Sequence, residues 1–507
     1  MHPLHVIVQA GGRGSRLRHH TWNKPKCLVS VNGKPILYHL FDRFPNAHFV
    51  IIGDYLYDQL KKYLHINPPS VPYELVQANG KGTLSGISQA LEHVPAQAPL
   101  VLTWSDLIIG SLPPWPQTDL PVVCTTDSFT CRWTVAQDGH FHEQAGTKNG
   151  IPGLFYFSRA LAFPKPPVQG EFMKWFAANV PHSVLLDCPN MEELGEFSSI
   201  EENNDRSGFC RFFNKVDVGE TQVVKTVVDP KYKSLHEKEV EWYSAAKKLG
   251  FRRIPKIFSQ NPLVLERIQG QHAYDIKDFT PRERRAVMAD YLDSLVALHE
   301  LASAPADVAA VQEVYLNKTL KRVQSVSDII IGFEHETMTI NGRKCRNIFS
   351  SKHWGILDNL LKNFPVNEFV PIHGDATFSN TLIDDKLRVW CIDPRGYFDK
   401  PGIMGDAWYD FAKVYYSAVG GYDFFNRRKF KLHIDHETVE VLMEEPAFSQ
   451  TAQEIFAEYL GKDMARIKIL HGLIWLSLSG YAKDDFDSVM GSFYMGLYWL
   501  EDGRSAR

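Results

Sequence analysis

The chain has 507 residues, enough for two to four domains at about 150 residues each. Hydrophobic residues make up 44% and charged residues 22%, an ordinary balance for a folded soluble protein. The 34 Gly and 29 Pro are too few for a collagen-like or low-complexity chain. With 55 Lys and Arg against 59 Asp and Glu the formal charge is −4, which excludes a globally basic nucleic-acid binder but not a local basic site.

The first hundred residues alternate between two hydrophobic periods. Residues 5–10, 48–52, 73–77 and 99–104 read as short β-rich strands. Between them, residues 34–41 and 55–64 are apolar at helical spacing, and Leu84, Ile87, Leu91 and Val94 mark one face of a third helix. Such alternation predicts an α/β fold with a doubly wound, mostly parallel sheet, which binds ligands beyond the carboxyl ends of its strands. The pattern weakens after Leu112, and residues 150–157 read as one more strand. Residues 198–207 are polar, which predicts a boundary between domains at 1–205 and 206–507.

The second half begins with predicted strands at 208–213 and 221–228, a helix at 234–249 and a strand at 263–267. Helical periodicity dominates the rest, apart from one β-rich island at 369–393. The expected layout is a small sheet lobe, 206–270, and a helical lobe, 271–507. The seven cysteines (27, 124, 131, 188, 210, 345 and 391) are scattered without a C-x-x-C pair. Neither a signal peptide nor a membrane-length apolar run is visible, so the expectation is a reduced, soluble, cytoplasmic protein.

Two constellations carry chemistry. The first strand runs directly into Ala10-Gly11-Gly12-Arg13-Gly14-Ser15-Arg16-Leu17, followed by Lys24-Pro25-Lys26. Glycines let backbone N–H groups approach a phosphate closely, and Arg16 and Lys26 would neutralise a triphosphate. Asp106, at the carboxyl end of the 99–104 strand, would face the ligand crevice and suit Mg²⁺. The loop and Pro25-Lys26 resemble the nucleoside-triphosphate nucleotidyltransferase family over roughly the first 200 residues. That resemblance implies a Rossmann-like domain that joins an NTP to a phosphorylated sugar or alcohol with Mg²⁺ and releases pyrophosphate. It implies Ala10, Gly11, Gly12 and Gly14 as nucleotide contacts, Arg16 and Lys26 as catalytic cations, and Asp106 with Glu193 as metal ligands. Glu193 lies in Glu193-Leu194-Gly195-Glu196, which lacks the proline of the family's segment. Gly82, opening the third helix, resembles a nucleotide contact, and Lys148 a lysine for the substrate phosphate. A helix cap and a solvated lysine fit these two as well.

The second constellation is His373-Gly374-Asp375-Ala376-Thr377-Phe378-Ser379-Asn380, followed by Ile392-Asp393-Pro394. One Asp can accept a hydroxyl proton while the Asn and the later Asp grip Mg²⁺ on ATP. Upstream, Lys225 shares a strand face with Val223 and Val227, and Glu239 lies near the centre of the apolar stripe of the next helix. An inward lysine and an inward glutamate are natural counterions. Residues from Gly208 to about Ala482 resemble the aminoglycoside phosphotransferase and choline kinase family, a bilobal, protein-kinase-like α+β fold. The resemblance implies Lys225 as the ATP lysine with Glu239 as its partner, Asp375 as the catalytic base, Asn380 and Asp393 as metal ligands, and Glu266 in the strand that meets adenine. The phosphate loop, Asp217-Val218-Gly219-Glu220, departs from the family pattern in having a single glycine.

A kinase that makes a phosphate ester and a transferase that consumes one belong to consecutive steps. The expected partners are ATP, a second NTP with CTP favoured, and a small alcohol with its phosphate, giving a CDP-choline-like precursor for surface polysaccharide or lipid. The domain order resembles choline kinase–phosphocholine cytidylyltransferase fusions. Sugar or polyol activation, or a resistance or regulatory kinase tethered to an unrelated transferase, are the competing readings. The late aromatic residues could cage a quaternary ammonium with help from Asp485, Asp487 or Glu501, or pack as core. A homo-oligomer is left open.

Overall fold

Strand β1 (His5–Gln9) is apolar at most positions, and residues 5–8 are buried. A strand buried on both faces belongs inside a parallel sheet. It lies there in the computed structural model, which describes residues 2–136, 139–206, 214–228 and 230–505. Helix α1 (Ile36–Arg43), strand β2 (His48–Gly53), helix α2 (Tyr57–Ile66), strand β3 (Tyr73–Gln77), helix α3 (Thr83–Leu91) and strand β4 (Leu100–Trp104) follow in strict alternation. Then come β5 (Leu107–Ile109), β6 (Val122–Thr125), β7 (Leu154–Phe157), α4 (Phe172–Asn179), β8 (Val184–Asp187), β9 (Met191–Glu193) and α5 (Phe197–Arg206).

Seven strands form one sheet in the order β8-β6-β7-β4-β1-β2-β3. Only β7 runs against its neighbours. The helices bury a stripe at helical spacing: Ile36, Leu37, Leu40 and Phe41 in α1, Leu60, Tyr63 and Leu64 in α2, and Leu84, Ile87 and Ala90 in α3. Strands β1 and β4 are neighbours with Gln9 opposite Trp104, whereas the chain leaving β1 passes to β2 on the other side. This is a topological switch point, and a crevice opens beyond the strand ends there. The expected α/β architecture with a parallel-rich sheet is therefore present in this half.

By its internal contacts the chain divides into two units, Met1–Arg206 with Lys483–Asp487, and Ser207–Ala482 with Ser488–Arg507. The late segment 483–487 belongs to the first unit. Asp487 pairs there with buried Lys24, Tyr63 Oη donates to Lys483 O at 2.8 Å, and Ser30 Oγ donates to Asp484 O at 2.6 Å. The polar stretch expected to be a boundary is largely helix α5. Ile200 is fully buried, and Asn203 Nδ2 donates to Glu192 Oε1 at 2.7 Å and Ser199 O at 2.8 Å. A polar composition does not exclude a helix there, because one buried face suffices to hold one.

In the second unit, β10 (Asn214–Val218), β11 (Gln222–Val227), α6 (Lys233–Leu249), β12 (Ile257–Gln260) and β13 (Leu263–Glu266) come first. The strands form an antiparallel sheet, β10-β11-β13-β12. Helix α6 buries Glu239, Trp242, Tyr243 and Ala246. The strand predicted at 208–213 lies outside the described residues. Helix α7 (Pro281–His299) starts at a capping box, in which Thr280 Oγ1 accepts from Glu283 N and the Glu283 carboxylate accepts from Thr280 N. Further on lie α8 (Lys318–Gln324), β14 (Thr337–Ile340), β15 (Arg343–Arg346), β16 (Thr381–Ile383), β17 (Val389–Cys391), α9 (Ala407–Ala418), β18 (Phe430–Asp435), β19 (Thr438–Met443) and α10 (Met464–Ser479). The expectation of one β-rich island in a helical lobe is corrected here, because β15-β14-β19-β18 form a second four-stranded sheet. Among the described residues, six cysteines are free and buried, and no helix is long and apolar enough to cross a membrane.

Candidate active sites

The first site starts where β1 stops. Ala10 is buried and its N–H donates to Ile52 O at 2.9 Å. A Cβ on Gly11 would stand 2.8 Å from Asp54 Cβ, whereas one on Gly12 would meet nothing within 4 Å. Gly14 has φ 63°, in the left-handed region, and its carbonyl accepts from Leu17 N at 2.9 Å and Thr21 Oγ1 at 3.1 Å. The loop is thus pinned at both ends and open in the middle.

Four of the predicted residues converge beside it. Lys26 is buried and ion-paired with Asp106, which follows the end of β4. The small ladder between β5 and β9 sets Glu193 opposite Leu107, and Leu194 N donates to Asp106 O at 2.8 Å. That register brings the two carboxylates together. Burial, then the charge of Asp106, pushes the Glu193 carboxyl above its usual range. Arg16 bonds to Glu196 and lies 3.9 Å from Glu193 Oε1. Asp106 Oδ1 is buried with no hydrogen-bond donor among the described residues. An unpaired carboxylate oxygen next to a second carboxylate that resists ionisation is a donor set of the kind Mg²⁺ accepts.

Gly82 and Lys148 are not brought into this cluster by any hydrogen bond or ion pair among the described residues. Gly82 (φ 82°) lies so close to Gly170 that an added Cβ would be 2.3 Å from its carbonyl oxygen, and Thr83 Oγ1 accepts from Phe172 N at 2.8 Å. That is a packing role at the start of α3. Lys148 is exposed in a turn.

In the second unit Lys225 is buried on β11 between β10 and β13, opposite Val216 and Leu263. Its Nζ lies 2.6 Å from Glu239 Oε1 on α6 and 2.7 Å from Asp393 Oδ1. Burial would lower the Lys225 pKa, but the charges of Asp393 and Glu239 outweigh it and hold the ammonium protonated. Asp393 has φ 53°, unusual for a residue other than glycine, and its N–H donates to Tyr243 Oη at 3.1 Å. Asn380 Nδ2 donates to Asp375 O at 2.8 Å and Asp375 Oδ2 at 2.9 Å, so its amide oxygen is the atom not spent on Asp375. That oxygen and the Asp393 carboxylate are again hard donors of the kind Mg²⁺ takes. Glu266 sits on the neighbouring strand opposite Gln222 and accepts from Lys256 N at 3.2 Å.

Three residues that hold this site are given no role by the sequence reading. Asp410 is fully buried and accepts from His373 N at 2.7 Å, Gly374 N at 2.8 Å and His299 Nε2 at 3.1 Å. It clamps the loop that carries Asp375. Lys413 Nζ lies 2.9 Å from Asp375 Oδ1. Arg395 Nη1 donates to Tyr409 Oη at 2.8 Å. Tyr409, Lys413 and Tyr416 follow an i, i+4, i+7 spacing, a signal of one shared helix face that could have drawn attention to Lys413. Two of the three acids offered for an ammonium ligand are engaged elsewhere. Asp487 pairs with Lys24, and Glu501 accepts from Arg346 Nε at 3.0 Å. Tyr415, Tyr416, Trp475 and Tyr494 are fully buried core.

Residues 6–109 match the family model described as a MobA-like NTP transferase domain, a span that includes the glycine loop, Lys26 and Asp106. The UTP–glucose-1-phosphate uridylyltransferase AglF of Haloferax volcanii is 30% identical over 103 residues, 20% of this chain and 42% of that protein. The bifunctional protein GlmU of Cellvibrio japonicus is 27% identical over 107 residues, 20% of this chain and 22% of that protein. The chain therefore spans less than half the length of these curated relatives. Among solved structures, the inositol-1-phosphate CTP transferase from T. maritima is similar at 16% identity and TM-score 0.32, covering 38% of this chain and 90% of that one. The CTP:phosphocholine cytidylyltransferase LicC from Streptococcus pneumoniae is similar at 15% identity and TM-score 0.33, covering 41% of this chain and all of that one. The N-terminal unit contains a MobA-like NTP transferase domain.

Proposed function

We propose that this chain builds a nucleotide-activated alcohol by two consecutive phosphorus transfers, one in each unit. In the second unit the alcohol oxygen attacks the γ-phosphorus of ATP. The bond to the β–γ bridging oxygen breaks, ADP leaves, and the hydroxyl proton passes to the Asp375 carboxylate. In the first unit an oxygen of the new phosphate ester attacks the α-phosphorus of a second NTP, and the α–β bridging bond breaks to release pyrophosphate. Arg16 and Lys26 carry the positive charge for that step, and the open backbone at Gly12 gives phosphate oxygens room to approach.

Asp106 and Glu193 would hold Mg²⁺ in the first unit, and Asn380 and Asp393 in the second. When bound, the ion supplies charge neutralisation and alignment of the phosphate chain. CTP is the favoured second nucleotide.

The observation that carries the two-step reading is the burial of Lys225 between Glu239 and Asp393, with Asp375 and Asn380 hydrogen-bonded to each other. A buried lysine held between a helix glutamate and a second carboxylate is the arrangement that orients ATP phosphates in kinases. The test separates the halves. Asp375→Ala should abolish ADP formation yet leave nucleotidyl transfer to a supplied phosphate ester. Arg16→Ala should do the reverse. If either change silences both reactions, the two-site assignment is wrong.

A further inference from the structure

Around Asp375 the second unit gathers more positive charge than it neutralises. Lys413 reaches Asp375 from α9. Arg395, two residues beyond Asp393, packs beneath Gly374, and its guanidinium lies 4.4 Å from the centre of the Tyr397 ring. Lys318 Nζ approaches the same ring at 5.8 Å, and Lys238 Nζ at 4.9 Å. Arg322, one turn after Lys318 on α8, donates to Ser477 Oγ at 2.8 Å. Among the described residues, Lys318, Arg322 and Arg395 form no ion pair with a carboxylate. Burial, with repulsion from Arg395, Arg322 and Lys413, pushes the Lys318 ammonium down to about 7.

Clustered cations that are half-buried and lack counterions cost stability, and an anionic ligand relieves that cost. The aromatic faces tell the same story. Tyr397 is flanked by Arg395, Lys318 and Lys238, and Lys413 lies 5.2 Å from the Tyr416 ring. The faces that could attract a ligand cation are already taken by protein cations. A quaternary ammonium entering here would meet repulsion.

We propose that the alcohol phosphorylated in the second unit is itself an anion, whose carboxylate or phosphate is held by Lys318, Arg322 and Arg395 while its hydroxyl faces Asp375. This rests on the reading of Asp375 as the base, and it sets aside choline as the acceptor. The phosphorylated product then carries two anionic groups, one of which becomes the acceptor for the nucleotidyl group.

The full chain is incubated with Mg-ATP and, separately, glycerate, glycerol 3-phosphate, glycerol or choline, and ADP is followed. The expected result is a kcat/KM for glycerate or glycerol 3-phosphate at least tenfold above those for glycerol and choline. Which of the two anions leads identifies a carboxylate or a phosphate as the held group. Lys318→Gln and Arg322→Gln should each raise the KM of that acceptor about tenfold, and Lys318→Arg, which keeps the charge, should restore it. Inorganic phosphate should compete with the acceptor. Faster turnover of glycerol or choline than of both anions overturns the anionic assignment while leaving the kinase reading intact. So does a Lys318→Gln defect that falls on the KM of ATP instead. ADP release that survives Asp375→Ala, or that no acceptor stimulates, removes the kinase reading itself and the inference with it.

Discussion

Replacing Lys225 by Met tests the ion triad on which the second site depends. The lysine side chain is 5% exposed, Glu239 9% and Asp393 38%. Without the ammonium, Asp393 is left partly in water and can be solvated. Glu239 cannot, so it supplies most of the penalty. Removing one partner of a buried pair costs about 3–5 kcal/mol. The cost should shrink as pH falls, because a buried carboxyl that has lost this ammonium is more easily protonated. Glu239→Gln in the Lys225→Met background should recover part of the loss, giving a coupling energy of roughly 0.5–3 kcal/mol in a double-mutant cycle. The two units need not unfold together, so the assay is amide hydrogen exchange across Lys233–Leu249 rather than a single melt. The same variant should lose the stabilisation that Mg-ATP gives to these amides. A change below about 1 kcal/mol with ATP protection intact would refute the reasoning, because it would mean that Glu239 is solvated or paired elsewhere.

Other outcomes follow from single residues. Asp410→Ala strands the N–H groups of His373 and Gly374 and should cost about 3–5 kcal/mol in the stability of the second unit, read by chemical denaturation, together with loss of ADP formation. Asp106→Asn should slow pyrophosphate release about 100-fold or more, measured with a coupled phosphate assay, while leaving ADP formation in place. Burial pushes the Asp423 carboxyl up to about 6. Its folded pKa is raised, so its contribution to stability is full below the ordinary carboxylate range and is lost as pH rises through about 6. Asp423→Asn should therefore be more stable than the parent at pH 8, by at most about 3 kcal/mol, and the gap should close towards pH 4 in urea unfolding.

The first unit is legible in the sequence because its hydrophobic period switches with each element. The runs ending at Gln9, Ile52 and Trp104 are continuous because those strands are buried on both faces, whereas the edge strand ending at Gln77 buries only Val76. Asp106 could be read from its place at a strand end. Glu193 rested on the family resemblance alone, because its position depends on three-residue strands, β5 and β9, that are far apart in sequence. No local pattern specifies such a pairing. The second sheet of the later unit did carry a signal. Thr337-Met338-Thr339-Ile340 alternates in burial and runs into Asn341-Gly342, whose φ values of 45° and 78° are those of a tight hairpin turn. Long helical stretches on either side masked it. The cation cluster was invisible for another reason: Lys318 and Arg322 share α8, but Arg395 and Lys413 come from distant parts of the chain, and a sequence does not reveal which cations lack an anion.

A time course of the full chain with Mg²⁺, ATP, CTP and an alcohol acceptor, followed by ³¹P NMR, addresses the coupling of the two units most directly. ADP and a phosphate ester should appear first, and pyrophosphate only afterwards, with the ester consumed as a nucleotide conjugate accumulates. Pyrophosphate released without prior ADP, or ADP accumulating with no pyrophosphate for any NTP offered, would contradict sequential transfer.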